Sequence, residues 1–260
     1  MSNTTPSRIR IHRCTGGALA LALSLAFALC QAAPPSPESN MTSKSDAAQT
    51  LSIRQQAILP IAAFAAAGDI GKLNTALNQG LDAGLTVSDA REVLVQLYAY
   101  AGFPRSLNAL SELMKVVEAR KQRGIHDAPG REPSHAIPKG DALRAAGTAN
   151  QTKLVGQPVQ GPIFEFAPAI GEYLQSHLFG AIFERDNLDW QTRELATVGM
   201  LSALPGAEAQ LQSHMGMSMH TGLTAQQMRQ AVQVLQAQVG ADSGWRARDA
   251  LDRALAPSQH

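Results

Sequence analysis

Two residues in this chain have the types and spacing to move protons: Glu194 in "DWQTRELATVGM" and His214 in "AQLQSHMGMSMH". Asp189 is a natural N-cap for a helix running to about Leu204, where Pro205 and Gly206 break it. On that helix Glu194 shares a face with Val198 and Leu201, four and seven residues on. A carboxylate on an apolar face is either partnered or unusually basic. The next helix carries Leu211, His214, Met215 and Ser218, so the imidazole borders its apolar side. Two antiparallel helices joined by a short break can bring this pair together, and a Glu–His pair suits proton transfer near neutral pH. The competing account is a polar residue that a helix has retained for packing.

The other groups offer less. Tyr98 and Tyr100, in "LYAYAGFPRSLNAL", stand two apart and cannot share a helical face, so one can line a pocket while the other packs. Met215, Met217 and Met219 resemble a stripe, but alternate positions point to different faces, which favours packing over a copper site. His220 suits a helix C-terminus, where a cation is favoured. His126 and His135 fall in a Gly/Pro-rich stretch, His12 near the start and His260 at the last position. Neither a metal nor an organic cofactor is expected. The net charge of +1 shows no basic stripe or acidic tail, which argues against nucleic-acid binding. Aromatic residues make up 5% of the chain, so the cores must be built largely from Ala, Leu, Val and Met, which suit helices.

These residues sit in an organisation that the sequence also outlines. Residues 1–33 read as a signal peptide, with Arg8, Arg10 and Arg13 before the apolar "GGALALALSLAFAL" and small residues at "CQAAPP". A periplasmic or secreted protein is expected, with no stable membrane span in the mature chain. Cys30 stands where a lipoprotein carries its lipidated cysteine, but Leu29 is a poor lipobox residue, so export without lipidation is the preferred reading. Cys14 and Cys30 are the only cysteines, and cleavage after Ala32 removes both, along with any disulfide or thiolate chemistry. Residues 34–49 form a polar, Ser- and Pro-containing tether, residues 50–125 a helical region, 126–161 a Gly/Pro-rich linker, and 162–256 a second helical region.

The two helical regions read as copies. At a constant offset of 138 residues, Gly68 aligns with Gly206, Leu73 with Leu211, "GLT" at Gly84–Thr86 with "GLT" at Gly222–Thr224, Arg91 with Arg229, and Gly102 with Gly240. Each "GLT" is expected to join two helices: the glycine ends one in the left-handed conformation, and the threonine caps the next with Asp89 or Gln227 completing a capping box. Strand-like alternation is scarce, so the fold class is all-α with two tandem helical modules. The first copy has Gln56 opposite Glu194, Gln55 opposite Arg193 and Ala76 opposite His214. It has lost the titratable groups and is expected to be a structural half.

The pattern "REL…G…QL…H…GLT", with "VQLYAYAGFPRSLNAL" in the first copy, resembles the carboxymuconolactone decarboxylase-like family, which includes the alkylhydroperoxidase D-like proteins. The likeness spans roughly 51–123 and 163–240. It implies an all-helical fold and a homo-oligomer, with tandem copies forming a trimer. The peroxidase branch uses a glutamate, a Cys-x-x-Cys pair and a histidine four residues on. Glu194 and His214 match the outer positions, whereas Ala207 and Gln210 replace the cysteines, so peroxiredoxin-type activity is disfavoured. The decarboxylase branch implies His214 as proton shuttle, Glu194 as its orienter or acid, and a small carboxylated or lactone-like substrate. Under that resemblance Arg193 pairs with the substrate carboxylate or is simply an exposed helix residue. His177 lies on a helix expected against the site. A non-catalytic binding or assembly protein on the same fold is the alternative.

Overall fold

The computed structural model describes residues 50–256, and all of the regular structure it contains is helical. Residues 1–49, where the expected signal peptide and tether lie, are outside this range, as is His260. Polar side chains begin the helices of the first half by accepting backbone N–H groups that have no partner within the helix. Ser52 caps α1 (Ile53–Ala67), Asp69 caps α2 (Ile70–Asp82) and Thr86 caps α3 (Val87–Gln96). The Thr86 capping box forms as expected: Asp89 N–H donates to Thr86 Oγ1 at 3.1 Å, and Thr86 N–H to Asp89 Oδ2 at 2.9 Å. A long helix, α4 (Tyr98–Gln122), follows and is broken internally at Gly102, where φ is 81° and ψ 162°. That left-handed, extended geometry is one only glycine adopts cheaply. It separates the turn that carries Tyr98 and Tyr100 from the rest of the helix.

Residues 126–161, expected as a linker, instead hold helix α5 (Gly140–Val155), and the stretch before it is tied to the first half. Val87 and Ser88 donate their N–H groups to Ala128 and Pro129 carbonyls, and Asp127 receives a bidentate Arg120 guanidinium, from Nε at 2.8 Å and from Nη2 at 2.9 Å. The glycines that suggested a linker have a packing reason. Gly147 is buried on the face that also carries Gln151 and Leu154, and a Cβ there would lie 1.7 Å from the Gln175 carbonyl oxygen. The missing side chain allows α5 to lie directly on its neighbour's backbone.

That neighbour is a wide-turned segment. Two short helices, α6 (Pro162–Phe166) and α7 (Pro168–Tyr173), lead into the π-helix π1 (Leu174–Ile182). The second half continues with α8 (Trp190–Ser202), capped by Asp189, and α9 (Glu208–His220). Next come α10 (Ala225–Val234), the short π-helix π2 (Leu235–Val239) and α11 (Ala241–Leu255). Thr224 and Gln227 close the second capping box, at 3.1 and 2.8 Å. The glycines of the two "GLT" joints have φ of 90° at Gly84 and 101° at Gly222, as their turn role requires. The bounds of α2 and α9, and of α3 and α10, are offset by the same 138 residues as the sequence matches.

Helices α1 and α8 pack together at the centre. Ile58, Leu59, Ile61 and Ala62 meet Leu195, Ala196, Val198 and Met200 in one apolar core that draws on both halves of the chain. A smaller cluster of Leu154, Leu178, Phe179, Ile182 and Phe183 lies between α5 and π1. Tyr100 packs against both clusters, which places it at the seam between them. No helix among the described residues is long and apolar enough to cross a membrane.

Candidate functional site

Helices α8 and α9 are joined by the Pro205–Gly206 turn, so the buried face of one returns along that of the other. Glu194 is fully buried on α8 and His214 is buried on α9. Glu194 Oε2 and His214 Nδ1 are 2.8 Å apart. A carboxylate only accepts, so the shared proton belongs on Nδ1, and Nε2 carries the lone pair available to a substrate. About 9% of the imidazole side chain is exposed, enough to reach a small molecule while the carboxylate behind it stays dry. The two residues singled out from spacing alone form one hydrogen-bonded unit.

Tyr100 completes the surroundings. Its ring meets the imidazole edge-on, with centroids 5.6 Å apart. Burial, then the nearby Glu194 charge, pushes the phenol above its ordinary range, with Thr197 and Arg193 acting against the shift. The residue therefore keeps its proton and is a donor at any physiological pH. Tyr98, two residues earlier, turns elsewhere: it stacks on Phe103 at 4.7 Å and packs against the smaller cluster. Of the two tyrosines, Tyr100 is the one placed at the Glu194–His214 pair.

Arg193 and His177 do not join them. The expected carboxylate clamp at Arg193 is corrected by burial: the residue is wholly inaccessible and its guanidinium is already bonded inside the protein. It donates to Glu92 Oε2 at 3.3 Å, to Gln96 Oε1 at 3.3 Å and to the Arg185 carbonyl at 2.7 Å. Burial pulls its proton affinity down, and the Glu92 charge offsets this. Glu92 in turn takes a bidentate Arg185 at 2.6 and 2.8 Å. Burial raises the Glu92 carboxyl, but hydrogen bonds from Arg185 and Asn187 and the charges of Arg185 and Arg193 leave it below its ordinary range. His177 is exposed on π1, 5.6 Å from the Tyr173 ring, and lies apart from the buried groups around Glu194.

Reasoning from sequence missed this Glu92 network. A signal was present: Ser88, Glu92 and Gln96 recur every fourth residue on α3, and all three are buried. Such a polar stripe inside an amphipathic helix implies partners on a neighbouring element. Those partners, Arg193 and Thr197, lie four apart on α8, and Gln96 Nε2 reaches Thr197 Oγ1 at 2.8 Å. The network therefore fixes the rotation of α8, and with it the direction in which Glu194 points. Among the described residues, no group of three His, Cys, Asp or Glu side chains comes together to hold a metal ion.

An all-helical chain with a buried Glu–His pair on adjacent antiparallel helices is consistent with what comparison finds. Residues 168–253 match the model of the carboxymuconolactone decarboxylase family. The matched segment runs from α7 into α11 and contains Glu194 and His214, while residues 50–125 lie outside it. No curated protein matches the chain.

Proposed function

We propose that residues 162–256 form a carboxymuconolactone decarboxylase-like domain in which His214 and Glu194 carry out cofactor-free acid–base chemistry on a small carboxylated or lactone-like molecule. The buried 2.8 Å contact between His214 Nδ1 and Glu194 Oε2 carries this reading. With its Nδ1 proton held by the carboxylate, the imidazole accepts a substrate proton at Nε2 and later returns it to carbon or to a leaving oxygen. Glu194 orients the ring and stabilises the imidazolium formed in between. Decarboxylation of a lactone acid fits this sequence: Nε2 takes the carboxyl proton, carbon dioxide leaves as the C–C bond breaks, the electron pair remains on an enolate-like carbon, and the imidazolium returns the proton to that carbon. Ala207 and Gln210 stand where a thiol-based peroxidase of this fold needs its two cysteines, so no thiolate is there to reduce a peroxide.

Residues 50–125 are a duplicated, site-less copy whose contribution is Tyr100 and the Glu92 network. The protein is exported, and it is a homo-oligomer, for which a trimer is the expected form. Exposed apolar side chains support assembly: Phe103, Leu107 and Met114 on α4, and Ile163, Phe166 and Tyr173 on α6 and α7, leave large apolar surfaces in water. Intact mass and light scattering on the purified mature protein check processing and subunit number.

The direct test is turnover with carboxymuconolactone and simple lactone acids, followed by carbon dioxide release and by deuterium incorporation from heavy water. General acid–base groups contribute about 100- to 10,000-fold, so His214→Ala should lower the rate at least about 100-fold with helicity and assembly unchanged. Glu194→Gln should fall in the same direction by a smaller factor. A fully active His214→Ala protein overturns the proposal and points to a binding or assembly role.

A further inference from the structure

Helices α6 and α7 are five and six residues long, below the roughly 12–15 at which a helix stands alone in water. Such helices persist by packing an apolar face, yet neither of these contains a buried residue. Phe164 turns inward over Gly171. Ile163, Phe166, Ile170 and Tyr173, spaced three, four and three apart, all remain in water, and Phe166 is 87% exposed. A second apolar face lies on α4. Phe103, Leu107 and Met114 are exposed there with half-buried Leu110 among them, and Lys121 continues the same side seven residues past Met114. Together the α6–α7 arm and this face hold most of the large apolar side chains that the described residues leave in water. Apolar exposure gathered in this way marks an interaction surface.

We infer that the α6–α7 arm of one chain docks on the α4 face of a second copy of this chain. The inference rests on the assembly proposed above and names the surfaces that meet. Area supports it: at about 150–250 Å² for a large side chain, the two faces together offer roughly 900 Å² of exposed apolar surface. Polar residues interleaved with them add to this, toward the area of about 1,000 Å² expected of a specific interface. Charge selects the pairing. The charged residues of the arm are Glu165 and Glu172, whereas α4 exposes Arg105, Lys115 and Lys121 against Glu118. Glu172 has Arg144 at 3.5 Å and Lys115 has Glu112 at 3.2 Å, which leaves Glu165 and Lys121 as the natural partners across the contact. Arm against arm would set acid on acid, and an anionic lipid surface would repel the arm as well. A contact between unlike surfaces is heterologous, and repeated by one rotation it closes into a ring. The partner also reaches the candidate site. Phe103 stacks on Tyr98 at 4.7 Å, so the incoming arm seats against the turn that carries Tyr100 to His214.

Leu107→Glu and Phe166→Glu each place a carboxylate in one face and leave the other intact. Both side chains are exposed, so neither change touches the core, and helicity should stay that of the wild type. In light scattering and sedimentation of the purified mature protein, the wild type should be a multimer and each variant alone a single chain. Mixed in equal amounts at high concentration, the two variants should form a one-to-one dimer, because one supplies an intact arm and the other an intact α4 face. Two isologous contacts would instead leave each variant dimeric through its untouched face. The inference fails if either variant alone is more than a single chain, or if the mixture stays monomeric. A multimeric wild type with a monomeric mixture overturns this pairing and leaves the assembly standing. A monomeric wild type overturns both, and its binding to phosphatidylglycerol vesicles would make the arm a membrane surface. The acid–base reading of His214 is judged separately, by turnover.

Discussion

Replacing Glu92 by glutamine should damage this protein more than replacing the arginine buried against it, although Arg193 is the larger side chain. Arg193 and Glu92 are both completely buried, and Arg185, about a quarter exposed, is the third member of the network. In Glu92→Gln both guanidiniums lose their carboxylate, and Arg193 becomes an uncompensated charge with no route to water. Breaking a buried pair in this way costs about 3–5 kcal/mol. In Arg193→Met, Glu92 retains its bidentate Arg185 at 2.6 and 2.8 Å, and the losses are the hydrogen bonds to Gln96, Glu92 and the Arg185 carbonyl. Hydrogen bonds to charged groups are worth about 1.5–3 kcal/mol each, but removing the buried charge recovers part of this, leaving a net cost of about 2–3 kcal/mol. For a chain of this size each kcal/mol moves Tm by about 2–4 °C, which gives a drop of about 6–20 °C for Glu92→Gln and about 4–12 °C for Arg193→Met. The double variant should be more stable than Glu92→Gln alone, because the stranded charge is gone and Arg185 can turn to solvent. Thermal melts followed by circular dichroism, with denaturant titrations for the differences, provide the measurement. The reasoning is refuted if Arg193→Met is the more damaging single change, or if the double variant is the least stable of the three. An Arg193→Met protein of wild-type stability would also restore the view of Arg193 as a free substrate clamp.

The same network sets an acid limit. The Glu92 carboxyl is depressed when folded, so its contribution is present above the ordinary glutamate range, about 4.3, and is lost as pH falls through the lower folded value. Melting temperature should therefore fall steeply below about pH 4 in the wild type, and less steeply in Glu92→Gln; parallel curves would contradict the assignment. Gly147→Ala places a Cβ 1.7 Å from the Gln175 carbonyl, a clash that only movement of α5 away from π1 relieves. Overpacking of this kind costs about 1–3 kcal/mol, and faster amide exchange should be confined to α5 and π1 if the contact is what joins them.

The contact at the centre of the candidate site was legible from residue spacing. Glu194, four and seven residues before two apolar positions, had to face the core, and a turn at Pro205–Gly206 had to return the chain to it. The threonine caps, the glycine joints and the all-helical class followed from local rules that hold wherever a helix begins or ends. The roles of Arg193, His177 and the two tyrosines did not follow. A guanidinium on an apolar face reads alike whether it grips a ligand or a buried carboxylate, and Glu92 is 101 residues away in sequence. Gly and Pro in residues 126–161 suggested a linker because a glycine read locally is a helix breaker. Only the approach of π1 shows that Gly147 is small to let another backbone in.

The sequence by itself determined the helices outside residues 126–161, their caps and joints, the absence of cysteine at Ala207 and Gln210, and the pairing of Glu194 with His214. These depend on contacts within a few residues or on two helices joined by one tight turn. Tertiary structure decided which of the two tyrosines faces the imidazole, which arginine is spent on a buried glutamate, and which buried oxygens remain without a partner. Those outcomes depend on groups roughly a hundred residues apart meeting in one low-dielectric space, where a charge or hydroxyl must find a specific partner and local pattern carries no record of which one it finds.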